Sequence, residues 1–533
     1  MSSTAFTDPQ DDRTRQGRLP DETAPSLMRD DDLFMPRLIG VFAAAAVIFG
    51  ATAILLYRSG RGSAVGPGWA SFVLTCGLIG LLFHAAFDRD IQFRRVYMTF
   101  GYLALGLGAF LCILPYPNKV ADQFGPGFLC MSLGLVFLLC FLRHETEEKF
   151  REVAIRILGG VGAGMAISGL FGGLLRADVL LGNKDTFVST PVGLLLALLG
   201  LVFLIAAITL HGTSDDLGYR VALGLGAAGA LVFLLALIAS FWPGALWFTK
   251  KNPNYFMPFG LLLQILGVLY VLASLLLCSD RPLVVLTRRE LGAFFYSPIA
   301  HLVLFSFVLA HWLAYFPFML QLVNRKGMPE PIVIGFILQF ASIFWTIFGV
   351  PALTMRLLSE EHRSGTLEQV FTAPVNEWVV VLSKFFAAFI MFVLIWMPLG
   401  FLMVSLRIEG GQPFDYRPLF SFGVGLFMTG AAFISIGLLC SSLTRNQIIA
   451  GVLTFGAMLM LTLMFWAARD LADDQLLGPD SNWVALMKHV SYINVWIDSI
   501  QGKLIPKFLL FPASTTVFCL FLTVKVLESR KWR

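Results

Sequence analysis

Charge is scarce in this chain. Asp, Glu, Lys and Arg make up 14% of its 533 residues, against about a quarter in an ordinary soluble protein, while 57% are hydrophobic. A soluble globule is excluded. Long polar stretches are scarce too, because about fourteen apolar runs of spanning length, each about 20 residues, leave only short loops. No loop has room for a nucleotide-binding or catalytic globular domain of about 100 residues. The phosphate cradle GxxxxGK[ST] is absent, so the chain cannot hydrolyse ATP by that route. HExxH is absent as well: His144-Glu145-Thr146-Glu147-Glu148 lacks the second histidine a zinc site needs and reads as a solvated inner loop. The seven cysteines have no CxxC spacing and all lie in apolar runs, where they read as small core hydrophobes. The net charge of +5 is spread along the loops and points to no nucleic acid and no acidic substrate. Residues 1–33, rich in Asp, Arg, Ser, Thr and Pro, lack the short apolar core of a signal peptide and read as a disordered tail.

What the chain does have is membrane-spanning sequence. Apolar runs fall near 38–57, 67–87, 97–115, 125–142, 153–175, 188–211, 219–242 and 256–278. After an amphipathic stretch at 281–297, six more follow near 298–323, 332–356, 378–405, 418–443, 447–467 and 505–527. The expected fold is all-α and polytopic, about fourteen transmembrane helices arranged eight plus six. An even count puts both termini on one side, and with that side as the cytoplasm the tail and inner loops hold most of the 39 Lys and Arg. The expected location is the cytoplasmic (inner) membrane, with both termini cytoplasmic.

The first eight spans, residues 34–280, contain an echo. Arg37-Leu38-Ile39-Gly40 with Gly50 returns 119 residues later as Arg156-Ile157-Leu158-Gly159 with Gly169. Asp90 with Arg95-Val96 returns 125 residues later as Asp215 with Arg220-Val221, and Pro126 with Gly134 echoes Pro258 with Gly267. Two tandem four-helix units, about 37–142 and 153–278, account for the order of these matches; chance similarity among apolar segments is the competing reading. Gly160, Gly164, Ser168 and Gly172 fall on one helix face, where small residues let two backbones approach closely in lipid, so a packing seam is expected there. His84 and His211 close spans at similar places in the two units, and interfacial positions suit them better than a proton relay. His301 and His311 fall on roughly opposite faces of one helix and share no site. Gln264 and Gln339 read as hydrogen-bond partners of neighbouring helices.

The segment 351–375 carries the most information. A span emerges at Arg356, with Glu360, Glu361 and Arg363 following, and Gly365 breaks the chain. Thr366 with Gln369 three residues on forms a capping box around Leu367 and Glu368, and Pro374 ends the new helix. A short, capped helix held between two spans can serve as a lever for a partner. An inner loop without a partner is the plainer alternative. Further on, Trp483, Met487, Val490, Ile493, Ile497 and Ile500 recur at helical spacing, which predicts an interfacial helix on the outer side.

From 281 to 533 the sequence resembles the type-2 ABC transporter permeases, most closely the gliding-motility-associated branch. The stretch Arg288-Arg289-Glu290-Leu291 with Phe294 and Phe295, followed by Ser297-Pro298-Ile299-Ala300, looks like that family's amphipathic elbow entering its first span. Glu360-Glu361, Gly365-Thr366-Leu367-Glu368 and Pro374-Val375, with Lys384 after them, look like its coupling segment. Ser442-Leu443-Thr444-Arg445-Asn446-Gln447 and Leu527-Glu528-Ser529-Arg530-Lys531-Trp532 also fit its pattern. The resemblance implies a permease domain at 281–533 in a homodimer or heterodimer. It further implies a separate ABC ATPase chain that binds ATP and magnesium and grips the coupling helix to drive export. This chain would then be no enzyme and hold no cofactor. Two other classes remain to be weighed: a secondary transporter built on repeats, for which clustered intramembrane charges are missing, and a membrane scaffold of an envelope complex.

Overall fold

The computed structural model describes residues 30–58, 67–87, 91–113, 120–142, 145, 147–175, 192–211, 216–242, 260–324, 334–338, 340–365, 376–410, 417–473 and 481–531. All regular structure among them is helical. Eight long helices come first: α1 Asp30–Arg58, α2 Pro67–Phe87, α3 Ile91–Ile113, α4 Val120–Leu142, α5 Glu148–Leu175, α6 Val192–His211, α7 Asp216–Phe241 and α8 Leu261–Cys278. Then follow α9 Pro282–Tyr296, α10 Pro298–Asn324, α11 Ile334–Ile337, α12 Phe340–Thr354, α13 Ser359–Ser364 and α14 Glu377–Gly410. The last are α15 Arg417–Leu443, α16 Gln447–Asp473, α17 Asn482–Val490, α18 Tyr492–Ile500 and α19 Pro506–Lys531. Helix is the form expected of apolar sequence in lipid, where each backbone N–H and C=O must find its partner within the segment. Proline sets several of the boundaries. It opens α2, α9, α10 and α19, at a first-turn position whose N–H has no helical partner anyway. The residue before it turns extended, as at Arg281 (φ −63°, ψ 135°) and Ser297 (φ −86°, ψ 127°).

Twelve helices among the described residues are long and apolar enough to cross a membrane, and two shorter apolar stretches, Trp69–Leu81 and Gly127–Leu142, lie within α2 and α4. This is a multi-pass membrane protein.

In the first half, sequential helices pack as pairs, α1 with α2, α3 with α4, α5 with α6 and α7 with α8. Glycine places the crossings. In the first pair Gly50 lies against the backbone of Ala70 and Leu74, and Gly77 against Ala43 and Val47. In the third pair Gly169 lies against Gly193 and Ala197, and Gly200 against Gly162 and Ala166. These are the same contacts moved on by 119 residues in one helix and 123 in the other. The second and fourth pairs match likewise. Gly101 and Gly134 face each other, with Leu105 and Leu138 beside them, as Gly229 and Gly267 do with Phe233 and Val271. Here α3 and α7 correspond at an offset of 128, not the 125 of the sequence echo, so Arg95 is matched by Leu223 rather than Arg220. The helix crossing, set by where backbones can touch, differs from the echo by about one helical turn.

Several side chains singled out in the spans have definite surroundings. The seam of α5 runs along Gly162, Ala166 and Gly169, whereas Gly160, Gly164 and Gly172 have open space beside them and Ser168 is exposed. Residues at both sets of positions are small at near-helical spacing, and the partner helix takes the neighbouring face. His84 stands in the last turn of α2 and is buried against its neighbours, 2.5 Å from the Tyr97 hydroxyl through Nδ1. Its place against Gly40 is taken in the second unit by Ala207 against Gly159, so His211 is not its counterpart. Gln264 does bond a neighbouring helix, donating to Ser240 Oγ at 3.3 Å; Gln339 lies outside the described residues.

Each hydrophobic core cluster stays on one side of Arg281. One draws on α9 to α12, α14 to α16, α18 and α19, and three smaller ones lie within α1 through α8. In the larger core, the expected interfacial helix is instead two helices, α17 and α18, broken at Ser491. Only α17 leaves large apolar groups, Trp483 and Leu486, exposed. The second turns inward: Trp496 is fully buried and donates to Thr429 Oγ1 at 3.0 Å. Consecutive buried positions such as Tyr492, Ile493, Val495 and Trp496 belong to a helix covered on more than one side, not to one lying flat on a bilayer.

Candidate functional site

Lys384 stands in the second turn of α14, inside an otherwise apolar run, with 3% of its side chain exposed. A buried ammonium requires anionic partners, and it has two. Its Nζ lies 2.6 Å from Glu361 Oε1 on α13 and 3.1 Å from Glu290 Oε2 on α9. Three elements, the amphipathic helix before the first span, the short helix below α12 and the start of α14, are thereby pinned at one point. Arg289, on the exposed side, adds a contact to Glu290 Oε1 at 3.0 Å. Burial alone would raise the Glu290 carboxyl, but the neighbouring Lys384 charge and the hydrogen bonds from Arg289 and Lys384 outweigh it and hold Glu290 below its ordinary value.

The short helix is built by a break in the chain. After Thr354 the backbone turns through 355–358, α13 runs for six residues, and Gly365 ends it in the left-handed region at φ 73°. Gly365 fits there because it lacks the Cβ that makes this conformation costly. Leu358 stands at the N-cap and has no side-chain cap of its own. Ser441 on α15 supplies one across space: its Oγ accepts from the amides of Leu358 and Ser359, each at 3.1 Å, and donates to Met355 O at 3.2 Å. Close by, Gly437 on α15 faces the Thr354 side chain, with no room for a Cβ. The fourth span of this half is thus fastened directly to the top of α13.

The residues singled out from sequence are distributed around this point. Glu360 and Arg363 are exposed on α13, and Glu361 is turned inward. On the amphipathic helix Phe294 is buried and Phe295 exposed, Arg288 Nη1 donates to Leu277 O at 3.1 Å, and Pro298 opens α10. Thr366, Leu367, Glu368, Gln369 and Pro374 lie outside the described residues. Deeper in the bundle His311 is buried, with Nδ1 at 2.9 Å from Phe307 O and Nε2 at 3.0 Å from Ser342 Oγ, which ties α10 to α12. Among the described residues no three His, Cys, Asp or Glu side chains are grouped to hold a metal ion. The Lys384 cluster joins three helices at one point, and the buried His311–Ser342 pair lies apart from it, deeper in the bundle.

Sequence reasoning missed two of these features. A lysine a few residues into a span is itself a signal that acidic partners must be near, although not of which ones. Ser441 gave no signal, since a serine in a membrane helix commonly bonds its own backbone.

Residues 313–476 match the model of the ABC-2 family transporter protein. Glu361, Lys384 and Ser441 fall inside the matched stretch, and Glu290 precedes it. No curated protein and no solved structure matches the chain. The match supports a permease of an ABC transporter.

Proposed function

We propose that this chain is the permease subunit of an ATP-driven exporter in the inner membrane, working as a homodimer or heterodimer with an ABC ATPase on a separate chain. Residues 281–533 form the permease domain. Residues 34–280 form an eight-span module of two tandem four-helix units, a division favoured by the repeated glycine crossings and by core clusters that stop at Arg281. Both termini face the cytoplasm, as the distribution of Lys and Arg favours. The observation that carries the reading is the pin at Lys384. A short helix between two spans, capped by one span and ion-paired to another and to the amphipathic helix, is the construction needed to turn a push on a loop into movement of helices. Buried ion pairs are a poor source of net stability but fix one arrangement over others, which suits a joint that must transmit direction.

The division of labour is tested by purification. Alone, the protein should show no magnesium-dependent ATP turnover. Purified from its host's membranes, it should bring with it a chain carrying a phosphate loop and vanadate-sensitive turnover. Hydrolysis by the isolated protein, with contaminants excluded, would overturn the assignment.

A further inference from the structure

The pin has a third arm that leads out of the permease domain. Glu290 shares α9 with Arg288, whose guanidinium donates to Leu277 O at the end of α8. Between Cys278 and Pro282 there are only three residues, and the first of these closes α8 with its N–H on Leu275 O at 3.0 Å. A connector this short, extended at Arg281 and braced by Arg288, leaves α8 little freedom to move apart from α9. A second fastening lies farther along the first permease span. Trp312 of α10 is buried against two aromatic rings of α2, Trp69 and Phe72, each centroid 4.0 Å from its own. Phe316, one turn on, stands 6.0 Å from Trp69. Trp312 is fourteen residues from the start of α10, so this aromatic clasp sits about 21 Å along the span from the α8–α9 joint.

We infer that the eight-helix half is a driven body: displacement of α13 is passed through Lys384 and Glu290 to α9, and from α9 to the first half at the Cys278–Pro282 joint and the aromatic clasp. Two fastenings well separated along one span resist relative tilt as well as sliding. A body held at a single corner could pivot while the permease moved; one held at both must follow α9 and α10. Trp312 takes no part in the permease core cluster, so the clasp is a contact separate from that core. The inference rests on the permease reading for the source of the motion and adds where that motion goes.

The experiment uses the full chain with its co-purified ATPase in lipid nanodiscs and two pairs of spin labels introduced as unnatural amino acids. One pair, at Arg363 and Lys525, both exposed, reports movement within the permease. The other, at Tyr57 and Trp466, both exposed, reports the first half against the second. On trapping with ATP and vanadate, the permease distance should shift and the first half should keep step with α9 and α10, so the second distance shifts too. Inserting a flexible Gly/Ser segment of about ten residues between Ser279 and Asp280, together with Trp69→Ala and Phe72→Ala, leaves the permease domain untouched. In that variant the permease shift should persist and the Tyr57–Trp466 shift should be lost. Restoring Trp69 and Phe72 should recover part of it, which shows that the first half is folded. A permease shift without any Tyr57–Trp466 shift in the unmodified chain overturns the inference, as does a full shift in the uncoupled variant. Absence of any ATPase, or of the permease shift itself, overturns the permease reading and this inference with it.

Discussion

Lys384 carries more of the site than any other side chain, because removing it leaves two part-buried carboxylates, Glu290 and Glu361, without the cation they share. Lys384→Met should cost about 3–5 kcal/mol, whereas Glu361→Gln, whose amide oxygen still accepts from Lys384, should cost about 1 kcal/mol. Thermal unfolding in detergent should rank them in that order. Glu290 sets a pH dependence with a definite sign. Its carboxyl is held below its ordinary value of 4.5, so the pair's contribution is fully present above that value and is lost as pH falls through the lower folded value. Stability should be flat near neutrality, and below pH 4.5 it should fall more steeply than in Glu290→Gln. Ser441→Ala leaves two buried amides without their acceptor, about 2 kcal/mol. Hydrogen exchange at Leu358 and Ser359 should speed up while that in α14 stays unchanged. Of these three residues, only Lys384 stands out in sequence as a charge that must be answered. Its partners are 94 and 23 residues away, and nothing local says which carboxylates the fold will bring to it.

Helices were the most legible level. Proline at first-turn positions and unbroken apolar runs set where they begin and how far they go, because both act through the backbone of the segment itself. Which face packs is a different matter. In α5 the small residues Gly160, Gly164, Ser168 and Gly172 are spaced for a seam as well as Gly162, Ala166 and Gly169 are, and only the position of α6 decides between them. A pair of variants separates the two faces. Gly200→Leu would drive a side chain into the backbone of Gly162 and Ala166, with a cost of about 3 kcal/mol or more, and should unfold or aggregate. Gly164→Leu points into open space and should purify as a monodisperse protein. Helix α18, from Tyr492 to Ile500, shows the same limit. Its apolar spacing suits either a bilayer surface or a protein interior, and the large buried residues of α15 and α16 draw it inward.

At the scale of the whole molecule, the all-helical fold follows from composition, and the proposed division near Arg281 from the change to an amphipathic pattern. The joint between the halves does not, since it is made by a guanidinium reaching back to Leu277 O and by rings from α2 and α10 that lie far apart in sequence. The permease reading requires that the exposed side of α13 meet an ATPase, and that is open to direct measurement. Photo-crosslinking amino acids placed at Glu360 and at Arg363, both exposed, are irradiated in native membranes, with Trp483 on the exposed face of α17 as the control position. The expected result is an adduct from Glu360 and Arg363 with a chain carrying a phosphate loop, and none from Trp483. An ATPase that crosslinks to Trp483, or no adduct with any such chain at Glu360 and Arg363, would contradict the assignment of this site as the place where ATP hydrolysis is coupled to the membrane.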